Sequence, residues 1–204
     1  HFLLRRQRQM CIRDRFDVPD DLESVPDDLA PEDRWLLAEF QQTMHTVKEA
    51  WSNLDIYTAT QALKTFGTGL LPSHYLEMVK SRLYDDDGAA AWTLHRTVRD
   101  FMAAFSPVCP FFTHHISSTV YGSSAVDVDA FPAPALGEVD HGTEEGARLC
   151  ALSHDLQEFN GQTWAAKKEQ GISLNQPIEG VAVPEELAEF CLLYTSDAAD
   201  EGGS

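Results

Sequence analysis

The chain has 204 residues and a formal net charge of −18, with 33 acids against 15 Lys and Arg. That length suffices for one or two small domains with a real core, and so large an acid excess opposes a broad phosphate-binding face. No apolar stretch approaches the roughly 18–20 uncharged residues of a membrane span, so neither a membrane nor DNA is expected as a partner.

The first residues run against the overall charge. RRQRQMCIRDR (residues 5–15) holds five arginines, the pattern of a basic arm. The last residues begin CLLYTSDAAD (191–200) and show neither a hydrophobic period nor capping residues. One DNA duplex encodes both ends. Read on one strand it gives RRQRQMCIRD; read on the other, shifted by one base, it gives CLLYTSDAAD. That duplex resembles a transposase sequencing adapter. Residues 1–15 and 191–204 are therefore expected to be adapter-derived and are set aside from fold reasoning. Without their five arginines and four acids, residues 16–190 hold ten bases and 29 acids, a net charge of −19. Cys11 and Cys191 go with the ends, leaving Cys109 and Cys150. Two thiols without paired spacing fit a reducing cytoplasm and no disulfide framework. The acids are spread through VPDDLESVPDDLAPED, YDDDG, VDVDAF and GTEEG rather than gathered in a tail. Salt near 1 M shortens the Debye length to about 3 Å, so this distribution suits a very salty cytoplasm; a solvated acidic surface is the alternative.

Residues 16–30 carry two Pro-Asp-Asp-Leu copies and read as a turn-rich lead-in. A helix is predicted from Pro31, with Glu32 and Asp33 in its first turn. Leu37, Phe40, Met44, Val47, Trp51 and Leu54 follow at steps of 3 or 4, an apolar seam for neighbouring helices. Asp55 can cap a second helix through Ala59, Leu63 and Phe66. Gly67, Gly69 and Pro72 are expected to break it, with helical spacing resuming at Leu76, Val79 and Leu83. Asp85–Gly88 reads as a turn. Another helix runs from about Ala89 through Leu94, Val98, Phe101 and Phe105, and Pro107 and Pro110 separate it from a shorter helix at Phe111–Tyr121. Residues 122–142 read as a linker, and Glu144–Lys168 as a further helix closed by Gly171. Ile172–Leu174 and Val181–Val183 look like short strands. The expected fold is mainly α: an up-and-down helix bundle over 16–132, then a linker, a helix and a small mixed α/β segment over 133–190.

Few residues offer catalytic chemistry. Gly67-Thr68-Gly69 lacks both the preceding strand and the lysine of a phosphate loop. His114 and His115 diverge by about 100° on a helix and cannot share a metal. No nucleophile elbow, zinc-protease helix or supported carboxylate pair occurs, so neither catalytic nor metal-ligating residues are assigned. Four of the scarce bases, Lys80, Arg82, Arg96 and Arg99, fall within twenty residues across a helical hairpin. They form a candidate positive patch for phosphates, or they pair with acids such as Glu77 and Asp100. Tyr84 and Trp92, near the same hairpin, are candidates for base stacking or core residues.

DRWLLAEF (Asp33–Phe40), LKTFGTGLLPSHYLEMVKSRLY (Leu63–Tyr84), AAWTLHRTVRDFMAAFSPVCPFFTHHISSTVYG (Ala90–Gly122) and SAVDVDAFP (Ser124–Pro132) follow one another along the chain. Together they resemble the valyl-tRNA synthetases, the archaeal type in particular. The similar region is the helical anticodon-binding domain that follows the catalytic domain in class I synthetases for branched aliphatic amino acids. KKEQGISLNQPIEGVAVP (Lys167–Pro184) is similar to the short mixed segment after that bundle. The Tyr75-Leu76-Glu77…Lys80…Arg82 pattern and the Pro-Phe-x-Thr segment at Pro110–Thr113 are shared across the class, although His114 stands where the class has an acid. The resemblance implies a parent that activates valine with ATP and magnesium and transfers it to tRNA. It implies as partners valine tRNA and a catalytic domain of the same chain, and it implies a cytoplasmic location. The catalytic signatures of the HIGH and KMSKS types do not occur, and MVKSR (Met78–Arg82) only looks like the second, so no cofactor and no catalysis are expected from these residues. A fragment of an isoleucyl- or leucyl-tRNA synthetase is the near alternative. A non-enzymatic acidic helical module with a protein partner is the distant one.

Overall fold

The computed structural model describes residues 18–122, 142–171 and 183–190. Both ends set aside above lie outside the described residues. So do residues 123–141 of the linker expected at 122–142, the strand expected at Ile172–Leu174 and all but Val183 of the one at Val181–Val183.

Helix α1 (Pro31–Ser52) is the hub of a mainly α bundle. Proline at its first position loses no hydrogen bond, and Glu32 and Asp33 face the positive end of the helix dipole. The predicted seam is buried along most of its length, with Leu37, Phe40, Met44 and Val47 all nearly inaccessible. Its last member is not: α1 stops at Ser52, and Leu54 stands exposed at a φ of 57°. The heptad spacing runs past the helix end because spacing alone carries no stop signal. Asp55 then accepts a hydrogen bond from the Thr58 N–H at 3.0 Å and starts α2 (Ile56–Thr65).

The expected break at Gly67, Gly69 and Pro72 does not occur. The chain stays helical and widens into a π-helix over Phe66–Tyr75. Pro72 has no N–H to donate, so a regular α-ladder fails there in any case, and a wider turn absorbs the gap. Gly67 is fixed by packing: a Cβ at that position would meet Phe101 Cζ at 2.6 Å. The short helices α3 (Leu76–Met78) and α4 (Lys80–Tyr84) follow, bent apart at the buried Val79. Asp86 takes a φ of 58° in the turn, and Asp87 caps α5 (Gly88–Phe105) by accepting from the Ala90 N–H at 3.0 Å.

Rings join these elements. Phe40 of α1 meets Phe66 at 5.2 Å, Phe66 meets Phe101 of α5 at 6.1 Å, and Phe101 meets Phe105 at 5.6 Å, distances typical of favourable aromatic pairs. Helix α6 (Pro110–Val120) lies on α5 with Phe111 and Phe112 turned outward. Helix α7 (Glu144–Glu169) starts with Thr143 accepting from the Gly146 N–H and packs Leu149, Leu156 and Phe159 along α1. It ends before Gly171, at a φ of 69°. A single 3-10 turn (Glu185–Leu187) returns to α7. No strand occurs among the described residues, and no helix among them is long and apolar enough to cross a membrane.

Candidate nucleic-acid interface

The four basic residues singled out by sequence do not form an open patch. Arg82 donates from Nε to Asp87 at 2.8 Å, from Nη1 to Glu32 at 2.6 Å and from Nη2 to Asp33 at 2.8 Å. Asp33 also accepts from the hydroxyl of the fully buried Tyr75 at 2.7 Å and from the Ala30 N–H at 3.2 Å. Burial opposes the charge on Arg82, but the three carboxylates hold its pKa above the usual guanidinium value. Burial pushes the Glu32 carboxyl up in spite of Arg82. This cluster locks the first turn of α1 to α4 and to the cap of α5, so Arg82 serves the fold.

Arg96 and Arg99 form a second lock. Arg96 donates to Asp100 at 2.8 Å and to the Leu22 carbonyl at 2.6 Å. Arg99 donates to Glu23 at 2.8 Å and to Asp100 at 3.2 Å. Together they hold the lead-in around Leu22 against α5. Burial opposes the charge on Arg99, while Asp100 and Glu23 keep its pKa raised. Lys80 is part-exposed and stands 3.7 Å from Glu77. Trp92 is 3% exposed and belongs to the core, so it has no face for a base, whereas Tyr84 is about half exposed. MVKSR is likewise no nucleotide loop: Met78 is buried in the core and Arg82 is committed to carboxylates.

The structure opens a different concave surface. A groove of about 520 Å³ lies between α1, α2, the π-helix and α7, within the roughly 300–1,000 Å³ range of ligand sites. Gln42 and Thr46 line it from α1, Tyr57 and Gln61 from α2, Gly69 and His74 from the π-helix. Tyr57 is 73% exposed. His74 stacks on Trp164 of α7 at 5.4 Å, and burial lowers its pKa so that the neutral ring is favoured. Sequence reasoning missed this groove because its residues come from four separated segments and none is charged except Glu39. The one available signal was the exposed aromatic at Tyr57 beside the Asp55 cap.

Residues 33–183 match the family described as the anticodon-binding domain of tRNA ligase. The chain belongs to this family. It is similar to the valine–tRNA ligase of Saccharolobus solfataricus, 29% identical over 81% of this chain and 18% of that protein. It is also similar to the valine–tRNA ligases of Pyrobaculum aerophilum, 33% identical over 78% and 20%, and Aeropyrum pernix, 31% identical over 74% and 19%. The chain thus spans about a fifth of the length of the curated relatives it matches. The groove lies within residues 33–183, the span that matches the anticodon-binding domain family.

Proposed function

We propose that this chain is the anticodon stem-loop binding part of a valine–tRNA ligase, an enzyme that joins valine to its tRNA using ATP and magnesium. The observation that carries the reading is the family match across 33–183 together with relatives that all bear the valine–tRNA ligase name. FGTGLLPSHYLEMVKSRLY favours valine over isoleucine and leucine. The partners under this reading are valine tRNA and a catalytic domain of the same chain, in the cytoplasm.

The chain's own contribution is positional. A rigid bundle presents side chains to a hairpin loop whose bases are splayed, the usual way sequence is extracted from RNA. Lys80 and Tyr84 keep exposed surface for such contacts, whereas Arg82, Arg96 and Arg99 act through the fold that holds them. Sequencing the source gene upstream tests the parentage. A catalytic domain with a KMSKS-type loop in the same frame shortly before Phe16 is expected, and a start codon there would contradict it.

A further inference from the structure

We propose that the groove between α1, α2 and the π-helix holds one unstacked RNA base. Tyr57 supplies the stacking face, the amides of Gln42 and Gln61 read the base edge, and Lys64 meets the adjoining phosphate. This inference rests on the anticodon-binding reading and gives it a site.

Four observations converge on the groove. Its lining is almost uncharged and mixes apolar surface with the amides and hydroxyls of Gln42, Thr46, Tyr57 and Gln61, which suits a base with its apolar face and polar edge. Among the described residues the side-chain amides of Gln42 and Gln61 are unengaged, while Gln157 donates to Ser153 Oγ at 3.0 Å. The lone acid, Glu39, is turned toward Ser153 and Cys150 of α7.

Gly69 is the second observation. A Cβ there would meet nothing within 4 Å, and the residue lacks a positive φ. Neither packing nor backbone conformation calls for glycine, which is disfavoured inside a helix. Its effect is to leave the groove floor clear. Third, the buried Nδ1 of His74 has no hydrogen-bond partner among the described residues, on a side chain that lines the same groove. Such an orphan is paired when a ligand brings a polar edge.

Lys64 completes the set. It is exposed on α2, seven residues after Tyr57 and three after Gln61, and so shares their helix face. The charge balance favours base contacts as well. Three arginines are spent on carboxylates, and the net charge of −19 over residues 16–190 repels phosphates, so affinity has to come from stacking and edge hydrogen bonds.

The test is a double-mutant cycle between protein and RNA, using the full 204-residue chain and the anticodon stem-loop of a valine tRNA. Each loop nucleotide is replaced in turn by an abasic one, and binding to the wild-type chain, Tyr57→Ala and Gly69→Leu is measured. One abasic position is expected to weaken wild-type binding at least about five-fold, as losing a stacked base does, and to add nothing to Tyr57→Ala. Gly69→Leu is expected to weaken binding by a similar factor with no fall in Tm. If the RNA binds but Tyr57→Ala matches wild type, or its losses add at every loop position, the groove is not a base site and the family reading stands. If the wild-type chain binds no stem-loop RNA, the anticodon-binding reading fails and takes the groove with it. Should Gly69→Leu not fold, the exposed Tyr57 ring still decides between these outcomes.

Discussion

At the scale of single residues, a scarce base in an acidic chain is as valuable to the fold as to a ligand. Arg82 shows why. Its three carboxylate partners include Glu32 and Asp33, about fifty positions earlier in the chain, and no local spacing reveals that closure. Asp87 is the exception, close enough in sequence to be suspected. Removing one member of a buried pair leaves charges uncompensated, so Arg82→Ala is expected to lower unfolding free energy by about 3–5 kcal/mol in a urea titration. Lys80→Ala, at a part-exposed pair, is expected to change it by less than about 1 kcal/mol. Equal losses for the two variants would contradict the assignment of Arg82 to the fold. A charge reversal at Arg82 that weakens RNA binding therefore reports unfolding before it reports a lost phosphate contact. Trp92 was legible as either a core residue or a stacking face, and its burial decides for the core.

At the scale of elements, most of the bundle was legible because helix signals are local. Pro31 with its acidic first turn, the Asp55 cap, the turn at Asp85–Gly88 and Pro110 each marked a start that the structure reproduces within a residue or two. The π-helix was not legible. Gly67, Gly69 and Pro72 carry the composition of a break, and neither the wider turn at Pro72 nor the close approach of Phe101 to Gly67 is visible in local spacing. Gly67→Ala forces a methyl against that ring, and overpacking of this kind costs about 1–3 kcal/mol. Thermal unfolding of Gly67→Ala should show a clear fall in Tm, while Gly69→Ala, with open space at its Cβ, should show none. A Gly67→Ala variant as stable as wild type would contradict the close π-helix to α5 packing. The groove was hidden for the same reason as the π-helix, since it exists only once α1, α2, the π-helix and α7 are assembled.

At the scale of the whole molecule, charge sets the conditions under which the bundle works. Residues 16–190 carry a net charge of −19, and self-repulsion of that size destabilises a compact state unless salt screens it. Helix content followed by circular dichroism is expected to fall as KCl is lowered below the molar range, and full helix content at low salt would contradict the high-salt argument. Under the proposed function, the same charge places the weight of RNA recognition on base contacts rather than on phosphates. Affinity in molar KCl for a valine tRNA anticodon stem-loop, set against the same stem carrying a non-valine anticodon, tests that claim most directly. Tighter binding of the valine loop, lost when the anticodon alone is changed, is the predicted result; equal affinity for both loops, or none for either, would contradict it.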